Sequence, residues 1–289
     1  MILALLTACV IGGDKYPRPR DLEADWFVDR LRLLAIAAEP PEVKPGELVS
    51  FEALFADPNG ELALQVWTVC PPDVASDTGC SLDFSALEGE PTAEELAALG
   101  VIAIQPPMRP VWTPGPELLD GLSADQRAEG VYATVQVAAF PASALEDPDN
   151  VDFGVVDVGY KRLVVSDAAT PNHNPAIAGF RVDGNLIPDG ATVELAPGER
   201  FVLTAEIAPE SIEDYTYINL GGVAEPRTED PYALWYASGG ALAQSLTLQP
   251  THDVSWTSPD APGDAGWWWV VVRDRRGGFA WRAQAWATR

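Results

Sequence analysis

One corner occurs twice in this chain. Pro45-Gly46-Glu47 leads into a run where Val49, Phe51, Ala53 and Phe55 alternate with Ser50, Glu52 and Leu54. Pro197-Gly198-Glu199 leads into Phe201, Leu203, Ala205 and Ile207, alternating with Val202, Thr204 and Glu206. Successive side chains of a strand point to opposite faces, so each run predicts a strand with one apolar core face and a second face turned outward. In the corner itself Pro fixes φ and Gly supplies the permissive dihedral of a turn. A pattern repeated at this distance predicts two copies of one unit, and 289 residues suit two domains with a linker.

The flanks repeat as well. A strand is expected before each corner, over 31–38 and 177–182, and another after it, over 62–70 and 233–237. The later strands carry Trp67 and Trp235, and a Trp early in the third strand marks immunoglobulin-like sandwiches, where it fills the space between sheets. Each copy closes on two late strands, 131–140 with 155–165 and 266–273 with 278–287, the last pair turning at Asp274-Arg275-Arg276-Gly277-Gly278. The fold class expected is all-β: two immunoglobulin-like β-sandwich domains over 29–166 and 176–289, joined by a linker over 167–175 that contains His173. The first domain holds an insertion at about 71–130, with a helix over 91–99 started by a Thr92–Glu95 capping box. A second helical stretch is expected over 116–128, interrupted at Asp120 and Gly121. The insertion either carries binding function or supplies strand crossings and covers a sheet edge.

Net charge is -25 and the pI about 4.2. Phosphate backbones repel such a chain, so nucleic acid is not an expected partner. Hydrophobic residues make up 47%, enough for a core in each half.

The segment Leu6-Thr7-Ala8-Cys9 resembles the lipobox of bacterial lipoprotein signal peptides. The resemblance implies a signal peptide over 1–8, cleavage before Cys9, and lipidation of the Cys9 thiol and new amino group. The segment departs from the pattern in lacking a basic n-region and in its short apolar stretch; the other reading is a buried hydrophobic first strand. Residues 9–28 then read as a flexible tether to the membrane, with two acyl chains making a stable anchor. Position two after cleavage is Val10 rather than Asp, which favours the outer membrane in lipoproteins of this kind. Export places Cys70 and Cys80 in an oxidising compartment, so a disulfide is expected, worth roughly 3 kcal/mol in the chain-entropy model. A zinc site at the pair is the alternative, but His173 and His252 lie far off without ligand spacing.

Little catalytic chemistry is visible. His252, Asp253 and Ser255 combine the residue types of a hydrolase triad, yet neighbours on one strand point to opposite faces. No phosphate-binding or dinucleotide glycine motif is present, and no cofactor or metal is expected. Asp57-Pro58-Asn59-Gly60 and Glu146-Asp147-Pro148-Asp149 read as turns, with calcium binding the alternative. In Gly266-Trp267-Trp268-Trp269, alternation sends Trp268, Val270 and Val272 to the core and leaves Trp267 and Trp269 on the other face. Those two tryptophans are the candidate binding residues, unless another segment or the first domain covers them.

Taken together, Leu6 to Cys9, the two Pro-Gly-Glu corners, Trp235-Tyr236-Ala237 before Gly239-Gly240, and Val270-Val271-Val272-Arg273-Asp274 before Gly277-Gly278 resemble lipoproteins of myxobacteria and their relatives with tandem Ig-like or PKD-like domains. This implies the fold and a cell-envelope location but no single activity; with no catalytic site in view the chain is not expected to be an enzyme, and its expected partners are the membrane, through the lipid anchor, and an unknown envelope protein or glycan. The expected function is a binding or structural module, with carbohydrate recognition through Trp267 and Trp269, or a hydrolase site in the insertion, as alternatives.

Overall fold

The computed structural model describes residues 24–70, 72, 75–76, 79–80, 92–105, 109–147, 153–218 and 222–289. Cys9, the signal segment and Asp149 lie outside the described residues, as does much of the insertion's first half.

In chain order the first half contains β1 (Arg32–Glu39), β2 (Glu42–Val43), β3 (Val49–Ala56), β4 (Leu62–Cys70), β5 (Ala75–Ser76), β6 (Gly79–Cys80) and helix α1 (Ala93–Ala98). It continues through β7 (Val101–Gln105), β8 (Val111–Trp112), α2 (Ala124–Glu129), β9 (Val131–Pro141) and β10 (Asp157–Val165). The second half holds β11 (Ile177–Val182), β12 (Asn185–Leu186), β13 (Thr192–Leu195), β14 (Arg200–Ile207), β15 (Asp214–Ile218) and β16 (Ala224–Thr228). After these come β17 (Tyr232–Ala237), β18 (Ala241–Leu242), β19 (Leu246–Leu248), β20 (Asp253–Thr257), β21 (Ala265–Arg273) and β22 (Phe279–Thr288).

Each half is a two-sheet sandwich. The first pairs the sheet β1-β3-β8 with β2-β10-β9-β4-β7; the second pairs β12-β11-β14-β20-β18 with β13-β22-β21-β17-β19. Trp67 and Trp235 are buried between their sheets, as expected. Gly46 and Gly198 take φ of +82° and +69° in the repeated corners, the left-handed conformation that only glycine adopts cheaply. The capping box of Thr92 and Glu95 starts α1, while the second helix shrinks to α2, capped by Ser123 and Gln126, because 116–121 forms turns instead. Within the insertion, β7 extends the β4 edge and β8 the β3 edge. The described part of the insertion therefore completes sheets.

The arrangement of the two sandwiches departs from beads on a string. Leu34, Ala35, Leu54 and Ala56 of β1 and β3 are buried on the outer face of their sheet, against Trp269 and Val271 of β21. Leu234, Tyr236, Phe279 and Trp281 complete this contact. The molecule is thus a stack of four sheets with three apolar layers, the middle one between the domains. A bulge in β1 makes the fit: Leu33 pairs with Phe55 and Ala35 with Leu54, so Leu34 has no opposite number, and two consecutive side chains enter the seam.

The expected tether, 9–28, is wrong at its end. Phe27 bridges to Ala237 of β17, with Val28 N donating to Ala237 O at 3.0 Å and Ala237 N to Trp26 O at 3.0 Å. Trp26 packs on the core of the second sandwich and Val28 is buried in the seam. Apolar side chains at 26 and 28, together with an unpaired stretch of β17, hold a segment that composition had marked as flexible.

The seam generates a stability prediction. Trp269→Ala removes a ring that is 4% exposed and is expected to cost about 3–5 kcal/mol in denaturant unfolding. Trp267→Ala removes one that is 44% exposed and is expected to cost less than about 1 kcal/mol. Equal effects of the two would contradict the covered seam.

Candidate functional site

The junction between the sandwiches concentrates the buried polar chemistry of the molecule. Three pieces meet there: the connection 166–175, the start of β2, and the β21–β22 turn. Asp274 anchors the turn. Its carboxylate accepts from Gly278 N at 2.9 and 3.0 Å and from Arg276 N at 2.7 Å. A Cβ on Gly278 would lie 2.1 Å from Asp274 Oδ2 and 2.9 Å from the His173 carbonyl, so the close approach requires glycine. From the linker, Asn172 Nδ2 donates to Asp274 at 2.7 Å, and Asn172 N donates to Glu42 at 2.7 Å. Ser166 Oγ donates to the other Glu42 oxygen. Glu42, Ser166, Asn172 and Asp274 are all buried, so domain one, linker and domain two share one hydrogen-bond chain.

Arg276 closes the network from the other side. Its guanidinium donates to Glu229 at 2.9 Å and Glu213 at 3.0 Å and lies 4.0 Å from Glu42. Burial pushes the Glu229 carboxyl up; the Glu213 backbone N–H and the Arg276 guanidinium pull it back towards the charged form. Glu213 also holds His173, at 2.6 Å from Nδ1. His173 is an exposed residue of the linker, as expected, though it is fixed in place.

Lys161 of β10 crosses the junction. Its ammonium donates to the Gly277 carbonyl of the opposite sandwich and sits 4.4 Å from the centroid of the Phe279 ring. Burial lowers its pKa to about 7, with Asp274 pulling upward and Arg273 downward.

The residues singled out in the sequence fare unevenly. Cys70 and Cys80 form a disulfide, Cα to Cα 5.7 Å. The thiol-side strand β6 lies over the large sheet of the first sandwich, where Cys80 N donates to Gln136. Trp267 and Trp269 do not make an exposed pair. Trp269 is covered by β1 and β3 of the first domain, and Trp267 stands by itself at the rim, its backbone N–H donating to Ser238 Oγ at 2.8 Å. His252 lies in the loop just before β20 and is buried there, and burial pushes its pKa down against the opposing Thr247 backbone and Asp253 and Asp230 charges. Asp57 forms an ordinary Asx turn, accepting from Asn59 N at 3.2 Å and Leu62 N at 2.6 Å. Among the described residues no three His, Cys, Asp or Glu side chains gather as metal ligands.

The sequence marked Asp274 only as the start of the last turn, and it pointed to no role at the junction for Glu42, Lys161 or Asn172. The only signal was the pairing of Asn172 and Asn174 with a Pro-rich, otherwise unpatterned linker, which marks turns without saying what they bond to.

No protein-family model matches the chain, and a search of curated proteins finds no relative. Solved structures similar to it include murine CEACAM1b, at 10% identity over 90% of this chain and 100% of that one, TM-score 0.23. The three N-terminal domains of the bacteriophage RB49 highly immunogenic outer capsid protein align at 10% identity over 89% of this chain and 59% of theirs, TM-score 0.22. The N-terminal Ig1-2 module of the Drosophila receptor protein tyrosine phosphatase DLAR aligns at 13% identity over 90% and 99%, TM-score 0.25.

The buried lysine sets a pH dependence. Its folded pKa of about 7 lies below the ordinary 10.5, so between those values the unfolded chain binds a proton that the fold does not. Stability is therefore expected to rise with pH from about 7 towards 10, by up to about 1.4 kcal/mol per pH unit, and to show no Lys161 contribution to the slope below 7. Chemical denaturation at pH 7.0, 8.0 and 9.0 should show this rise in wild type and a flatter line in Lys161→Met. Parallel lines would disprove it.

Proposed function

We propose that this chain is a non-catalytic binding and spacing module of a bacterial cell envelope, anchored through a lipid on Cys9. The observation that carries the reading is the sealed junction. Two sandwiches joined only by a linker move independently by default. Here an apolar seam and a buried hydrogen-bond chain fix them to one another, which suits a part that must present surfaces at a set geometry.

The Leu6 to Cys9 motif supports the anchor, and the disulfide between Cys70 and Cys80 suits an oxidising compartment. A flat Trp267–Trp269 platform for sugar rings is not part of this reading, because Trp269 lies beneath the first sandwich.

Two measurements test the proposal. In a bacterial host that processes lipoproteins, wild type is expected in the membrane fraction with a diacylglyceryl mass at Cys9, and Cys9→Ser in the soluble fraction. Identical fractionation of both defeats the anchor. Small-angle scattering of the soluble variant is expected to fit one compact four-layer particle; a profile requiring two independently moving beads defeats the rigid module.

A further inference from the structure

A groove runs beside β22 where the two sandwiches meet. Its first section, about 390 Å³, is lined by Glu39, Glu52 and Arg109 from the first sandwich and by Phe279 and Trp281 from the second. A second section, about 270 Å³, continues past Trp281 to Asp189, Arg282 and Ala283.

The base of this groove is an open strand edge. Phe279 N points away from β21 and donates to Asn174 Oδ1 at 2.9 Å. Alternate residues of an antiparallel strand share that direction for both N–H and C=O. Trp281 and Ala283 therefore turn their backbone groups the same way. Further along, β13 occupies this side, pairing in parallel from Ala285 to Thr288. Between the Asn174 side chain and β13, the backbone of Trp281 and Ala283 has no hydrogen-bond partner among the described residues, and Ala283 is exposed. An unpaired edge of this kind accepts an added strand.

Charge selects the occupant. Arg109 is paired with Glu52 at 2.6 Å and Arg282 with Asp189 at 2.8 Å. Glu39 receives only the neutral Asn174 amide, at 2.8 Å, and has no cationic partner among the described residues. The chain as a whole carries -25. We propose that the β22 edge is a binding site for an extended peptide bearing basic residues at alternate positions, which adds a strand beside Trp281 and Ala283 and sets its cations against the Glu39 side of the groove. This gives the binding-module reading a ligand class and rests on it, while the anchor and scattering measurements stand apart from it.

The probe is an acetylated, amidated heptapeptide of alternating lysine and valine, compared with its aspartate–valine counterpart on the soluble Cys9→Ser protein. Calorimetry is expected to show binding of the lysine peptide at least ten-fold tighter than the aspartate peptide. Hydrogen exchange of the Trp281 and Ala283 amides is expected to slow on binding. Ala283→Pro removes the outward donor at an edge position that tolerates proline; it should weaken binding at least ten-fold with the thermal transition kept. Glu39→Gln retains the Asn174 contact and should weaken binding three-fold or more. Equal affinity for the two peptides, no binding, or unchanged exchange at Trp281 and Ala283 overturns the proposal. The exchange measurement is made on the unsubstituted β22, so it decides the matter even where the proline variant fails to fold.

Discussion

Everything about the shape of this molecule follows from what lies over Trp269 and Val271. An immunoglobulin-like sandwich ordinarily buries one face of each sheet and leaves the other to solvent. Here β21 is buried on both: Trp268, Val270 and Val272 face the core of their own sandwich, and Trp269 and Val271 face the neighbouring one. An uncovered surface of this kind would invite association, and β1 with β3 supplies the cover from within the chain. The bulge at Leu34 and the placement of Leu54 on the nominally outer face serve that one contact.

Apolar burial alone is non-directional and tolerates sliding. The polar chain through Glu42, Asn172 and Asp274 is directional and fixes the register of one sandwich on the other. Its bonded pairs are separated by 130 and 102 positions in sequence. Because each is buried, losing one partner would strand another without solvent, a larger cost than a surface hydrogen bond carries. Lys161 adds a group whose charge is disfavoured where it sits, and Asn172 Oδ1 is buried without a hydrogen-bond partner among the described residues, so the junction combines well-bonded carboxylates with two groups that are held less comfortably.

Most of the strand plan was legible because alternation is a local property. The paired corners, the third-strand tryptophans and the last hairpin needed only neighbouring residues to be read. Which face meets what is not local. Alternation separated Trp269 from Trp268 correctly, but it treated Leu54 as outward and did not decide between an exposed Trp269 and one covered by another segment or by the first domain, since the cover comes from more than 200 positions away. Residues 24–28 were misread for a related reason: their partner is Ala237, and the glycines and prolines earlier in the segment, Gly12, Gly13, Pro17 and Pro19, outweighed Trp26 and Val28. The junction polar residues were invisible because a buried carboxylate and a solvated one look the same in sequence.

The short pairing of Phe27 with Ala237 also decides how the body responds to force. The chain touches the second sandwich before it builds the first, then returns to the second through the linker. Any tension transmitted along the chain from upstream of residue 24 therefore meets the β17 pairing first, with Trp26 and Val28 wedged behind it. The first sandwich sits outside that load path until the wedge lets go, so the molecule has a mechanical fuse at its entry point.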